Sequence, residues 1–440
     1  MVMRSRPCSC VHSSGGPATA CRRAAASLLL CLAVAPVAVL PATTRGGRQR
    51  QPEDRPNDTN NITRAWVASL GSGPLKEIKY SHMPTIAALP GGVLAVAFQC
   101  TTSIEGADDQ HIRFTTSSDE GASWAPALRA VGNGSAGPAV WGPVLFAPAP
   151  GGKLFLFFSL SPQGSHHSVG GALQVVTATS DSWGDQTIPS WSAPTTILAQ
   201  GSDSKVTANR VAVVGERWLL PIWYEGNPPA GAAAVLESPD QGVSWAPHGH
   251  VHGSSNGVAN DTKIIENSLA PLPSGDGVLQ IYRAGKGVLY FSLSDDPGGV
   301  NWSHSARPTT LVNPSAKASI FARSDSGAIV LSCNPSSTLR SPLALLESET
   351  GNVDDFRLLA TLEDDDKRSF AYPTSVMVGS KIHTVYSVYD PHATAPHTHH
   401  WWGIRIATVS VNLHSIASSV SAKNAGDDMA YDALVKPQQL

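Results

Sequence analysis

The chain has 440 residues and a formal net charge of −3, with 15% charged residues, 39 Gly, 33 Pro and 11 Trp. Ordinary soluble proteins carry ~25% charged residues, and disordered chains combine high charge with few apolar residues, so this composition excludes a disordered chain and argues against a helical bundle or coiled coil. No long basic stripe is present, so there is no electrostatic case for a nucleic-acid partner.

At the N-terminus, Arg22 and Arg23 precede an apolar run from Ala24 to Leu40, broken by Pro36 and followed by Pro41-Ala42-Thr43. Charge, apolar stretch and small residues in that order predict a secretory signal peptide over residues 1–42. The run also approaches the ~17–25 residues of a membrane span, so an uncleaved signal anchor is the alternative, with an organellar transit peptide third. A secreted or secretory-pathway protein is expected, touching a membrane only if the leader is kept. Five N-glycosylation sequons, at Asn57, Asn61, Asn133, Asn260 and Asn301, fit that route. Residues 43–64 are polar and aperiodic and read as a flexible linker, and 413–440 as an irregular tail. Beyond the leader only Cys100 and Cys333 remain, either paired or as buried thiols.

Between linker and tail, an apolar run, a Gly-containing turn and a second apolar run occur six times: 83–98, 142–158, 210–224, 267–283, 318–333 and 374–389. Each predicts a β-hairpin. The turn glycines Gly92, Gly152, Gly215, Gly277, Gly327 and Gly379 recur at intervals of about 50–63 residues, the signature of a repeat architecture. A second element alternates with the hairpins. Ser117–Trp124 and Ser238–Trp245 share S-x-D-x-G-x-x-W, and Ser294–Trp302 has the same pattern with one extra residue. Weaker forms stand at Thr179–Trp191 and Ser348–Phe356. In such a turn the Asp side chain accepts from nearby backbone N–H groups, Gly supplies φ > 0 and Trp packs beneath, so Asp119 and Asp240 are structural. The expected fold is all-β, a six-bladed β-propeller over residues 65–412, with Trp66–Leu70 closing the ring and Ile404–Val411 an outer strand of the last blade.

In that fold the inner strand of each blade lines a channel. Reading its start in all six repeats gives His82, Trp141, Asn209/Arg210, Glu266, Lys317 and Tyr372. The end of the paired strand gives Gln99, Ser159, Glu225, Arg283, Asn334 and Asp390. So many charged and hydrogen-bonding groups, in a chain poor in charge, predict a polar ligand site. The stretch Asp390–Trp402 is rich in His but lacks a metal-ligand spacing, and reads as a rim loop whose Trp residues stack on sugar. No metal or cofactor is expected.

The S-x-D-x-G-x-x-W turns resemble the Asp boxes of the sialidase (neuraminidase) superfamily, and the span 78–411 is similar to its BNR-repeat members. The resemblance implies a glycoside hydrolase acting on a glycan or glycoconjugate. It assigns Tyr372 as nucleophile, Glu266 as its base, Asp109 as acid/base, and Arg283 and Arg340 as ligands of a substrate carboxylate. Asp109 competes for its role with Asp108 and Glu105 in the same loop. One departure is evident: Ser81-His82-Met83-Pro84 places His82 where the family carries its first Arg, which weakens the carboxylate clamp. A neutral Tyr activated by a carboxylate suits a sugar whose anomeric carbon bears a carboxylate, because an anionic nucleophile would be repelled; Tyr-using sialidases depart in this way from the two-carboxylate scheme of most glycosidases. The expected activity is release of a terminal acidic sugar. The alternatives are a hydrolase or lyase acting on uronic acid-containing glycans, with His82 and Tyr372 as acid/base pair, and a non-catalytic glycan-binding propeller.

Overall fold

The computed structural model describes residues 62–412, apart from 133–136, 149–151, 163–168, 180–188, 226–231, 256–257 and 392–399. The leader, most of the linker, the tail, the sequons at Asn57, Asn61 and Asn133, most of the His-rich loop and part of the Thr179–Trp191 turn lie outside the described residues. All described residues belong to one unit, Asp54–Leu440.

The all-β class is observed. Strand β1 (Ile62–Ser69) precedes β2 (Tyr80–Ala88), β3 (Leu94–Thr101), β4 (His111–Ser117) and β5 (Leu128–Val131), of which β2 to β5 form an antiparallel sheet in sequence order. The next sheet is β6 (Val140–Phe146), β7 (Leu154–Leu160), β8 (Ala172–Ala178) and β9 (Thr195–Leu198). A larger sheet follows. One run is β10 (Ser204–Thr207) and β11 (Ala212–Val214) against β12 (Arg217–Glu225), then β13 (Ala233–Ser238) and β14 (Ala246–Ser255), with β15 (Val258–Thr262) on β14. The other is β16 (Ile264–Pro271), β17 (Val278–Ala284), β18 (Val288–Leu293) and β19 (Ser305–Val312). A short parallel pairing of β14 with β19 joins them, His252 to Ser305 and Gly253 to Ala306. Then come β20 (Ser319–Ala322), β21 (Ile329–Cys333), β22 (Leu343–Ser348) and β23 (Arg357–Glu363), and lastly β24 (Ser369–Val378), β25 (Lys381–Tyr389) and β26 (Trp401–Ser410).

The last sheet takes β1 as its fourth strand, with Ile62 opposite Val409 and Ser69 opposite Gly403. This corrects the linker boundary: Ile62, Thr63 and Arg64 are strand, because the edge of β26 offers their backbone a ladder. Side chains seal the seam. Glu363 of β23 is paired with Arg405 of β26 at 3.1 Å and Arg64 of β1 at 3.7 Å.

Apolar clusters fill the spaces between successive sheets. Phe98 and Val96 of β3 meet Ile404 and Ile406 of β26, and Leu156 and Phe158 of β7 meet Ile112 and Phe114 of β4. Further round, Phe157 packs with Trp218, Leu219 with Leu269, Ile281 with Ile320, and Leu345 with Phe370. Each fully buried side chain of this kind contributes about 1.5–3 kcal/mol. The fold therefore rests on apolar packing. Cys100 and Cys333 are both free, buried thiols, each pushed up to about 12 by burial.

The Asp-box turns are local devices. Asp119 Oδ1 accepts from Ser117 Oγ (2.7 Å) and Ser123 N (2.9 Å), Ser117 Oγ accepts from Gly121 N, and Trp124 Nε1 donates to Gly121 O. The Asp240 turn repeats the Ser, Asp and Gly bonds, but its Trp245 Nε1 makes no hydrogen bond. In the third turn Trp302 Nε1 donates to Gly299 O, and Gly299 (φ +70°) takes the left-handed role, so the extra residue lies between Asp296 and that glycine. Asn301, which follows in this turn and carries a sequon, is exposed.

Candidate active site

Four strands, each the first of a hairpin, open with a β-bulge. The register shifts between His82 and Thr85, Trp141 and Val144, Ile265 and Ser268, and Ala371 and Thr374. Each bulge contains one left-handed residue: Met83 (φ +52°), Gly142 (+56°), Glu266 (+52°) and Tyr372 (+59°). Three of the four carry a Cβ, a conformation that costs of order 1–3 kcal/mol and clusters at functional sites. A bulge also re-aims a side chain. Glu266 and Tyr372 thus hold equivalent positions in β16 and β24. The register corrects two parts of the expected ring. The counterparts of Glu266 and Tyr372 in β2 and β6 are Met83 and Gly142, one residue beyond His82 and Trp141. Ser387, not Asp390, stands opposite Ala371, as Arg283 stands opposite Ile265.

These strand mouths surround a cavity of about 570 Å³ whose walls include His82, Glu105, Glu266, Arg283, Arg340 and Tyr372, together with Tyr80, Trp141, Trp223, Glu225, Tyr389 and Trp401. At its base, Tyr372 Oη donates to Glu266 Oε1 at 2.7 Å. Arg283 Nη1 donates to both Glu266 oxygens at 3.1 Å and to Tyr372 Oη at 2.5 Å. Burial raises the Tyr372 pKa; Arg283 and Arg340 oppose the rise, while Glu266 adds to it. The phenol is therefore neutral until a base takes its proton, and Glu266 is the carboxylate in contact. Burial works against the charge of Arg283, but Glu266 and Tyr372 together outweigh it and hold this guanidinium more firmly protonated than usual.

Arg340 lies above the same ring, its guanidinium carbon 5.5 Å from the Tyr372 centroid. It donates to Tyr389 Oη (3.0 Å) and Ser315 O (3.3 Å), while Arg283 Nε donates to Ser315 Oγ (3.2 Å). His82 faces the cavity too. Its ring centroid is 4.0 Å from that of Tyr372 and 4.8 Å from that of Trp401, and Nδ1 is hydrogen-bonded to Ser387 Oγ at 2.8 Å. It is thus held by aromatic packing and a neutral hydroxyl.

Of the six residues assigned from sequence, five meet in this cavity and Asp109 does not. Its carboxylate accepts from Thr101 Oγ1, from Thr102 N (2.8 Å) and from Thr102 Oγ1 (2.7 Å). Burial opposes the charged form, but these donors prevail and lower its pKa. Asp109 therefore ties the β3–β4 loop to the end of β3. From that loop it is Glu105 that reaches the cavity. Gln99 Nε2 donates to Glu105 Oε1 at 3.1 Å and Tyr80 also bonds the carboxyl. The residue is exposed by surface area, while Gln99 and Tyr80 hold its carboxyl at the cavity. Burial raises its pKa; the Tyr80 bond opposes this and the charge of Glu266 reinforces it. Gln99 is itself fixed, accepting from Gly142 N at 3.0 Å. Spacing within the loop could not select Glu105 over Asp109. Tyr80 and Tyr389, ordinary strand-end aromatics in sequence, were not anticipated.

Glu225 also lines the cavity, accepting from Trp223 Nε1 (3.0 Å) and Lys263 Nζ (2.8 Å). Among the described residues no group of three or more His, Cys, Asp or Glu is arranged to hold a metal.

Asp-box turns on antiparallel sheets, with a polar cavity at the strand ends, define a BNR-repeat protein. The BNR repeat-like domain profile matches residues 81–384, and the chain belongs to that family. Among solved structures it is similar to a Trypanosoma rangeli sialidase mutant displaying trans-sialidase activity, at 13% identity over 79% of this chain and 58% of that one, with a TM-score of 0.59. It also resembles the leech intramolecular trans-sialidase (14% identity, 78% and 70% coverage, TM-score 0.60). The NanB sialidase of Streptococcus pneumoniae is similar at 13% identity, 79% and 70% coverage and a TM-score of 0.61. The chain spans 58% of the length of the first of these, and the likeness is one of fold. No curated protein sequence matches it significantly.

Proposed function

We propose that the protein is a sialidase-like exo-glycoside hydrolase that releases a terminal acidic sugar, built on a six-bladed propeller. The blade reading rests on the order of contacts between strands: β2 packs on β6, β6 on β10, β12 on β16, β16 on β20, β20 on β24, and β24 on β2.

The observation that carries the activity is the 2.7 Å bond from Tyr372 to Glu266, with Arg283 and Arg340 in the same cavity. Glu266 takes the phenol proton as Tyr372 Oη attacks the anomeric carbon. Glu105, whose raised pKa keeps more of it protonated, gives its proton to the leaving oxygen and then takes one from the water that frees the sugar. Arg283 and Arg340 hold the sugar carboxylate by charge-assisted hydrogen bonds, with His82 as a weaker third donor. A lectin has no use for a phenol aligned on a buried carboxylate, which speaks against a purely binding role.

One observation favours a second reading. The 4.0 Å approach of the His82 and Tyr372 rings suits an acid/base pair acting on uronic acid-containing glycans. Incubation with matched aryl sialosides and aryl uronides separates the two. Release from sialosides alone upholds the first reading, and release from uronides alone replaces it with the second.

A further inference from the structure

Lys317 is fully buried, immediately before β20, and belongs to a different sheet from Tyr372. Its Nζ donates to Pro373 O (3.0 Å) and Thr374 Oγ1 (2.8 Å). Both acceptors are neutral; Pro373 lies in the bulge that begins at Tyr372, and Thr374 is the paired residue that closes it. The bulge creates the need. Pro373 has no N–H and, between the paired positions Ala371 and Thr374, lies outside the β24–β25 ladder. A buried carbonyl left without a donor there would cost ~1–3 kcal/mol. Thr374 Oγ1 passes the tie on, donating to Pro84 O at 2.9 Å in the bulge of β2.

The same device recurs at the other half of the pair. Asn209 Nδ2, from the β10–β11 connection in the other run of the large sheet, donates to Glu266 O (3.1 Å), Asn267 O (3.0 Å) and Ala318 O (3.1 Å). Each left-handed turn is thus clamped by a buried polar side chain, from outside its own hairpin, that does not line the cavity. Burial lowers the Lys317 amine to about 7, with Glu266 pulling the other way, which fits a donor to neutral oxygens more than a counter-ion.

We propose that Lys317 is a positioning residue that holds the strained Tyr372-Pro373 turn so that the phenol stays aligned on Glu266. The proposal rests on the reading of Tyr372 as the attacking group, and its test has an arm that does not. In Lys317→Met, which keeps the chain length and removes the donor, a crystal structure should show Tyr372 out of the left-handed region and its hydroxyl beyond hydrogen-bond reach of Glu266. At equal folded fraction by near-ultraviolet circular dichroism, kcat on the substrate that wild type releases should fall about 10- to 100-fold, with KM within about twofold, the scale of an ~1 Å misplacement. A folded Lys317→Met with the Tyr372–Glu266 bond intact overturns the proposal. A displaced Tyr372 with undiminished turnover upholds the clamp and overturns Tyr372 as nucleophile. If Lys317→Met does not fold, Thr374→Val removes one of the two acceptors and keeps the lysine; the same displacement in smaller degree supports the proposal, and an unmoved Tyr372 rejects it.

Discussion

Tyr372 donates a 2.7 Å hydrogen bond to Glu266, a residue 106 positions earlier in the chain, while a single Arg283 nitrogen reaches both of them. The pair is assembled from two sheets that each spend a left-handed residue at the same place.

Tyr372→Phe deletes the hydroxyl and leaves the Glu266–Arg283 ion pair in place. We expect kcat to fall at least ~10³-fold with KM nearly unchanged, because the attacking atom is lost and the ring is kept. Steady-state kinetics on an aryl glycoside decides this, and wild-type kcat in the variant would end the covalent scheme.

Arg283→Ala strands a buried carboxylate. Glu266 is 5% exposed on its side chain and Arg283 20%, so the loss should be that of a broken buried pair, ~3–5 kcal/mol. Urea denaturation should show a lower midpoint at an unchanged slope. A loss under ~1 kcal/mol would mean that Glu266 does not depend on Arg283 as its counter-charge.

Glu105 and Asp109 are separable by pH. If Glu105 is the general acid, kcat/KM on substrates with poor leaving groups should decline as pH rises through its raised pKa. In Glu105→Gln that basic limb should disappear and the rate drop about 10²–10⁴-fold, less for aryl leaving groups that need no proton. Asp109→Asn should keep the limb. Retention of the limb in Glu105→Gln and its loss in Asp109→Asn would return the role to Asp109.

The two carboxyls also pull stability in opposite directions. Glu105, with its folded pKa above 4.5, adds stability that is full below 4.5 and lost as pH rises through the folded value. Asp109, with its folded pKa below 3.8, adds stability present above 3.8 and lost as pH falls through the folded value. Melting temperatures of Glu105→Gln and Asp109→Asn against wild type between pH 3 and 7 should diverge in these two senses.

His82→Arg tests the altered clamp. The imidazole is wedged between Tyr372 and Trp401, so a longer guanidinium must turn into the cavity. Sialic acid should bind roughly 10- to 100-fold tighter, the value of one charge-assisted hydrogen bond, at a packing cost of ~1–3 kcal/mol. Calorimetric titration beside a thermal melt reads both. A folded variant with no gain would show that the substrate anion does not approach this wall.

The all-β class, the six hairpins and the Asp boxes were legible in sequence because their physics is local. A Gly turn between apolar runs makes a hairpin wherever it lies, and Asp119 needs only Ser117, Gly121 and Ser123 to close its turn. Glu266 and Arg283 were legible together for the same reason, since one hairpin places their strand ends side by side.

Tertiary structure decided the rest. A bulge inserts a residue and shifts the alternation of faces, so the ring read from strand starts slipped by one at His82 and Trp141, and Ser387 took the place of Asp390. Which carboxyl of the Glu105–Asp109 loop enters the cavity depended on Thr101 and Thr102 capturing Asp109 first. The edge that draws Ile62 into a strand belongs to β26, at the far end of the described chain. The alignment of Tyr372 on Glu266 is the extreme case. It needs two left-handed residues, which no local propensity favours in Glu or Tyr, and it persists because side chains distant in sequence, Asn209 and Lys317 among them, bind the backbone that those turns leave without partners.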